Sequence, residues 1–436
     1  MSLPVFRFIG AVTSLTAEER LKLCDRSTSL DASVHTGTAA IIRRVQQDGD
    51  VALREMALQY DGVELVAFEV PRADLNRAYD TLAPTLRAAM LRSVANVRTA
   101  HSAFRPQAAE VETEPGVFVG RRPDPLRRVG VYAPGGRAAY PSSLIMGVVP
   151  AKVAGVTEII VCSPPTATGL PSDVILAAAA IAGADRVFSV GGAGAIAAMA
   201  YGTESVPRVD RIVGPGNAWV AEAKLQCTGI VGIDSPAGPS ELLVIADETS
   251  TPRVIAREML AQAEHDPRAA VVCVAIGDHV ATRIAAEVRS LLATAERADI
   301  ISASLSFAGG LLHVETLPEA IAFGNAWAAE HLLLAIAPDA LDQTLALVRN
   351  AGTIFVGESA SVAFGDYMTG ANHVLPTGGL ARHYSGLSTS DFVRWTSWQR
   401  VTPRAAASLA GPVSTFAMSE GLPNHAAAAR QWSGPS

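Results

Sequence analysis

The stretch EIIVCSPPTATGLPSDVILAAAAIAGADRVFSVGG (158–192) carries the rhythm that decides the fold. A β-rich run, Glu158–Cys162, gives way to a Pro/Thr/Gly turn and an Ala-rich helical stretch. A second β-rich run, Arg186–Val190, then ends on Gly191-Gly192. Parallel strands cannot be joined by a hairpin and need a crossover of this length. The same pattern precedes it at Arg128–Tyr132 and follows it at Arg211–Val213. A second set continues with Glu241–Ala246, Ala269–Ile276, Leu311–Val314, His331–Ile336 and Thr353–Val356, with helical stretches between. The class is therefore α/β: two Rossmann-like parallel-sheet domains built by right-handed βαβ crossovers.

The flanks read differently. Thr16 is a candidate N-cap with Glu18 and Glu19 in the first turn. Residues 36–47 and 50–60 form helical patterns split at Gly49, and Asp61-Gly62 closes the second. After Pro376-Thr377-Gly378-Gly379 the pattern turns helical, ending in an Ala-rich helix from about Asn424. The expected division is a helical segment over 1–30, an α/β domain over 31–125 plus 240–378, a Rossmann-like domain over 126–239, and a helical segment over 379–436.

A chain of 436 residues exceeds one ordinary core. No apolar run reaches the ~18 residues of a membrane span. The N-terminus MSLPVFRFIG lacks the basic-then-apolar pattern of a secretory signal, so a cytoplasmic protein is expected. A net charge of −7 and a pI near 5.8 argue against nucleic-acid or membrane partners. Cys24, Cys162, Cys227 and Cys273 form no CxxC pair and are expected to be reduced thiols.

Three glycine turns follow strands: Tyr132-Ala133-Pro134-Gly135-Gly136, Val190-Gly191-Gly192-Ala193-Gly194, and Gly214-Pro215-Gly216-Asn217. Gly192, Gly194 and Ala197 fit a GxGxxA dinucleotide fingerprint, but no acidic residue ends the next strand; Asp210 begins it. All three turns fall at carboxyl ends of strands, where open α/β sheets bind ligands. A nucleotide cofactor is expected there, with Asn217 placed to donate to a phosphate or ribose.

Polar, metal-capable residues concentrate late in the chain: Gln262 and His265, Glu330-His331, Asp366, Asn372-His373, Glu420 and His425. Gln262 and His265 are three apart and share one helix face. Imidazole, carboxylate and amide oxygen are competent ligands for a zinc-like cation. An adjacent Glu-His pair offers two proton-transfer groups near neutral pH. His35, His101, His279 and His313 lack polar neighbours in sequence and read as structural or surface groups, with His383 undecided. Met199 and Trp219 read as core.

The stretches GVYAPGG (130–136), GGAGAIAAMAYGTESVPRVDRIVGPGNAWVAEAK (191–224), PAGPSELLVIAD (236–247), AQAEHDP (261–267), AAEHL (328–332), GDYMTGANHVLPT (365–377) and EGLPNH (420–425) occur in the order of one family. Through them the chain resembles the histidinol dehydrogenases, zinc enzymes of the last steps of histidine biosynthesis. The resemblance implies that Gln262, His265, Asp366 and His425 hold zinc. It implies that Glu330 and His331 are the catalytic pair. Ser240, Glu420, His331 and the four zinc ligands would contact substrate, and Tyr132 and Asn217 the NAD. It implies oxidation of L-histidinol to L-histidine via L-histidinal, with one zinc per subunit and two hydride transfers to NAD. It also implies a homodimer in which Glu420 and His425 reach the neighbouring subunit's site. One departure stands out: Gly194 occupies a position where the family usually has Gln, which would alter the NAD contact.

In those roles His331 takes the alcohol proton, and Glu330 activates water for the second step. An alternative is a paralogous zinc- and NAD-dependent dehydrogenase of another small polar alcohol, such as a sulfonated diol. Such relatives would keep the metal ligands but alter the residues reading imidazole and amine. Ser240, Glu330 and Glu420 are all present here, which favours histidinol. A catalytically silent metal- or nucleotide-binding protein is a third reading, opposed by the intact Glu-His pair.

Overall fold

A computed structural model describes residues 6–26, 32–135 and 139–433. Gly136 of the first glycine turn, and residues 30 and 31 at the expected first domain boundary, lie outside the described residues. In chain order the strands are β1 (Phe8–Ala11), β2 (Ala109–Glu114), β3 (Val117–Pro125), β4 (Arg128–Tyr132), β5 (Glu158–Ser163), β6 (Arg186–Ser189), β7 (Arg211–Val213), β8 (Gly232–Ile233), β9 (Glu241–Ala246), β10 (Ala270–Ile276), β11 (Gly310–Val314), β12 (Ala329–Ala335), β13 (Ala351–Val356) and β14 (Val393–Val401).

Two parallel sheets result, as the crossover rhythm requires. The first runs β6-β5-β4-β7-β8 and the second β1-β11-β10-β9-β12-β13. Their central strands are buried on both faces and so read as continuous apolar runs; Glu241-Leu-Leu-Val-Ile-Ala246 is buried throughout. In the first sheet the chain order reverses across β4, leaving a crevice between the carboxyl ends of β4 and β7. In the second it reverses across β9, but there the carboxyl end is stitched shut: the Asp247 carboxylate accepts from Ala337 N–H at 2.7 Å.

Three expectations need correction. Residues 1–30 are not wholly helical: β1 adds a parallel edge to the second sheet, Phe8 opposite Gly310. The segment after Gly379 is not all helix either. Its alternating β-branched and aromatic run VRWTSWQRV forms β14, antiparallel to β3, in a three-stranded sheet ordered β14-β3-β2. The β2–β3 hairpin, turning at Pro115-Gly116 with Gly116 at φ +84°, was also unforeseen. Helices complete both termini, including Ala17–Cys24, capped as expected by Thr16, and Pro403–Ser419 with Pro423–Arg430.

The third concerns residues 31–125, which sequence grouped with the second sheet. Helix Ala32–Met56 kinks at Gly49 as expected and packs Ile42, Val45 and Leu53 against Ile160, Phe188 and Ile196. Helices Arg72–Thr81 and Pro84–Ala103 place Leu75, Met90 and Val97 beside Val129 and Val131. Their apolar faces are therefore buried on the first sheet. Burial against a distant partner, not chain proximity, decides where an amphipathic helix docks.

Candidate active site

A cavity of about 620 Å³ lies between the sheets. The first sheet contributes the carboxyl ends of β4 and β7. The second contributes its amino ends: Ser240 just before β9, and Glu330 and His331 at the start of β12. The two sheets thus meet with opposite edges facing one another.

Gln262 sits in the last turn of helix Pro252–Ala263. His265 lies just past its end, where its N–H donates to the Gln262 carbonyl at 3.3 Å. Both line the cavity, and the buried Gln262 amide nitrogen has no hydrogen-bond partner among the described residues. Asp366 belongs to the short helix Val362–Tyr367, whose first N–H donates to Glu258 Oε2 at 3.0 Å. The following loop is clamped by helices packed on the first sheet. Asn96 Nδ2 donates to the Met368 carbonyl at 2.6 Å, and Asn372 Nδ2 to the Met146 carbonyl at 2.8 Å. Gly370, at φ +94°, lies so close that a Cβ there would stand 2.6 Å from the Asn96 carbonyl oxygen. His373 is held at both ring nitrogens, Nδ1 by the Asp366 carbonyl at 2.8 Å and Nε2 by Ser143 Oγ at 3.1 Å. It braces the Asp366 loop, and burial pushes its pKa down.

The Glu330–His331 pair is buried. Glu330 Oε2 accepts from Glu241 N–H at 2.7 Å and stands 3.4 Å from His331 Nδ1. His331 Nδ1 is 2.9 Å from the Glu241 carbonyl oxygen, and Nε2, 3.8 Å from Asp366 Oδ1, has no hydrogen-bond partner among the described residues. Burial depresses the imidazole's pKa. The Glu330 charge and hydrogen bond outweigh it, together with Asp366 and the Glu241 carbonyl, and the pKa rises to about 9.

On the opposite wall, Asn217 caps helix Ala218–Cys227: its Oδ1 accepts from Trp219 and Val220 N–H, both at 3.1 Å. Only its Nδ2 donors are left for a ligand. The Tyr132 hydroxyl accepts from Gly192 N–H at 3.1 Å and so keeps its own O–H to donate; burial raises its pKa to about 12. Gly194 faces away, and a Cβ there would meet Met56 Sδ at 3.0 Å. The space of a side chain is filled by helix Ala32–Met56.

Eight of the ten expected site residues line this one cavity: Tyr132, Asn217, Ser240, Gln262, His265, Glu330, His331 and Asp366. Glu420 and His425 do not; both are exposed, Glu420 just past the end of helix Pro403–Ser419 and His425 in helix Pro423–Arg430. Among the described residues no three His, Cys, Asp or Glu side chains stand together as a metal cluster. Within one chain the expected ligand set brings an amide, an imidazole and a carboxylate, chemically fit for zinc yet one ligand short. Sequence reasoning missed Ser143, Tyr367 and Glu241; the signal for Glu241 was a charge opening an otherwise apolar strand. His35 and His313 have partners it did not foresee, Glu222 at 2.6 Å and Asp278 at 3.5 Å. Trp219 is partly exposed over Gly37 rather than core, while Met199 is fully buried. Cys162, Cys227 and Cys273 are buried free thiols and Cys24 an exposed one.

Two facing α/β sheets thus enclose a cleft with a buried carboxylate–imidazole pair on one wall and glycine turns on the other, the arrangement of an enzyme active site. The family model for histidinol dehydrogenase matches residues 24–432. The chain is 47% identical to the histidinol dehydrogenase of Halobacterium salinarum over 418 residues, covering 96% of this chain and 97% of the relative. It is 46% identical to that of Methanothermobacter thermautotrophicus over 393 residues, covering 90% and 92%. The crystal structure of histidinol dehydrogenase from Elizabethkingia anophelis superposes with a TM-score of 0.93 at 30% identity, over 98% of each chain. The chain belongs to the histidinol dehydrogenase family. No described helix is long and apolar enough to cross a membrane.

Proposed function

We propose that the protein oxidises L-histidinol to L-histidine through L-histidinal, with NAD as acceptor and one zinc per subunit. The observation that carries this reading is the convergence of the Glu330–His331 pair, Gln262, His265 and Asp366 on one cavity. Zinc, held by Gln262, His265 and Asp366 with His425, would supply a Lewis acid that fixes the substrate's amine and ring nitrogen. NAD, against Tyr132 and Asn217, would accept the hydrides.

The chain's own residues move the protons. His331 presents Nε2 to the cavity and takes the hydroxyl proton as the first hydride leaves. His331 returns that proton to solvent, the aldehyde gains water, which Glu330 activates, and His331 then receives a second proton as the second hydride leaves. Each step removes two electrons, so one alcohol reduces two NAD.

His425 and Glu420 complete the site from a second copy. Three facts support this: the single-chain site lacks them, they are exposed, and the C-terminal helices also expose Phe416, Met418 and Leu422 as an unpartnered apolar surface.

The test is NADH formation from L-histidinol by purified, zinc-loaded protein beside an EDTA-treated control. The expected result is two NADH per histidinol, lost on chelation and restored by zinc. No turnover by a folded, zinc-loaded protein would overturn the substrate assignment and turn attention to other small polar alcohols.

A further inference from the structure

Glu241 engages all of its polar atoms at the back of the proton-transfer pair. Its N–H donates to Glu330 Oε2 at 2.7 Å, and its carbonyl accepts from His331 Nδ1 at 2.9 Å. Its carboxylate accepts from Glu330 N–H at 3.4 Å and from Gly378 N–H at 2.7 Å. Behind it stands Arg26, from the N-terminal segment, donating from Nε at 2.7 Å and Nη2 at 3.2 Å. Arg26 Nη2 also donates to the Trp327 carbonyl at 2.7 Å, and the guanidinium carbon lies 3.6 Å from the Trp327 ring centroid. The Trp327 indole N–H donates to the Leu23 carbonyl at 3.0 Å, tying down the same segment.

A largely buried ion pair such as this contributes little net stability, because desolvating both charges offsets their attraction; apolar residues of similar volume would serve folding as well. Stability therefore does not account for this pair. Its placement does: a two-pronged guanidinium on a carboxylate orients that carboxylate more rigidly than a point charge can. Here the oriented residue bonds both members of the pair.

We propose that Glu241, held by Arg26, is the positioning residue of the Glu330–His331 pair. The N-terminal segment thereby contributes to the chemistry without touching substrate. This rests on the reading of Glu330 and His331 as the proton-transfer pair.

The double variant Arg26→Met/Glu241→Gln removes both charges together and leaves no buried ion uncompensated. Single-turnover NADH formation from L-histidinol is measured on the zinc-loaded enzyme, with steady-state KM values and the nitrogen resonances of the His331 ring, assigned by their loss in His331→Asn. The expected rate falls about ten- to a hundredfold, the cost of a misplaced reacting group. KM values for L-histidinol and NAD stay near wild type, and the His331 ring loses its Nδ1-protonated signature. Arg26→Lys, which keeps charge but not the fork, falls between. Wild-type rate and ring resonances in the folded double variant, or in Arg26→Lys if the double variant does not fold, overturn the proposal. If His331→Asn itself keeps the wild-type rate, the catalytic reading falls and the positioning role with it. If His331→Asn alone is slow, only the positioning role falls.

Discussion

His331 Nδ1 lies 2.9 Å from the carbonyl oxygen of Glu241. A carbonyl only accepts, so Nδ1 carries a proton, and whenever the ring is neutral the lone pair of Nε2 faces the cavity. The backbone of one strand thus sets the tautomer of the proposed base on the next, leaving only the substrate-facing nitrogen to exchange protons.

His331→Asn is expected to keep zinc binding but lose alcohol oxidation by about 10²–10⁴-fold, the usual worth of a positioned acid–base group. Glu330→Gln is expected to harm mainly aldehyde oxidation. The two half-reactions are assayed separately with L-histidinol and L-histidinal. Equal losses of both in Glu330→Gln would refute the division of labour.

In zinc-free protein the His331 ring is expected to titrate near pH 9, followed by NMR. Because this folded pKa lies above the unfolded value of 6.5, the group contributes stability that is fully present below pH 6.5 and is lost as pH rises through about 9. Glu330→Gln removes the strongest raising influence, so the midpoint drops. An unchanged midpoint would show that the carboxylate does not govern the ring.

His101 is buried with neither ring nitrogen bonded to a described residue, and burial lowers its pKa to about 4. With the folded pKa depressed for a base, the unfolded chain takes up the proton first, at about pH 6.5. The folded state therefore loses stability as pH falls from about 6.5 towards 4. His101→Leu removes this loss: between pH 7.5 and 5 the variant's Tm should fall less than the wild type's. Parallel falls would contradict the burial of a neutral ring.

Lys224 and Asp234 form a buried ion pair under the glycine turn. Asp234 Oδ2 accepts from Gly214 N–H at 2.7 Å, and Lys224 Nζ donates to the Gly214 carbonyl at 3.1 Å. Lys224→Met strands the carboxylate and is expected to destabilise by about 3–5 kcal/mol, whereas Lys224→Met/Asp234→Leu should recover most of it. Urea unfolding checks both, and NAD affinity should remain weakened in the double variant because the turn carrying Asn217 is no longer held.

If the C-terminal helices serve the neighbouring subunit, His265→Ala and His425→Ala are each inactive alone but complement when mixed. Co-refolded variants should regain about one quarter of wild-type activity, since half of random dimers are hybrids and each has one intact site. No recovery would place each site within a single chain.

Much of this was legible in the sequence. Crossover spacing and turn residues located the nine main parallel strands, because a strand buried on both faces must be an apolar run and must be followed by a crossover. Thr16 declared its helix start, and Gly49 the kink, since both act through local backbone physics. The candidate site residues were legible as residue types whose chemistry burial alone does not explain. Other features depended on contacts between distant parts of the chain. Strands β1, β2, β3 and β14 find partners far away or on an exposed face, where local apolar signal is weak. The docking of helices 32–103 on the first sheet, the facing of its carboxyl ends towards the amino ends of the second, and Arg26 behind Glu241 all join residues up to hundreds apart. Spacing along the chain carries no record of such distances; packing decides them, because only the folded core determines which surfaces can be buried together.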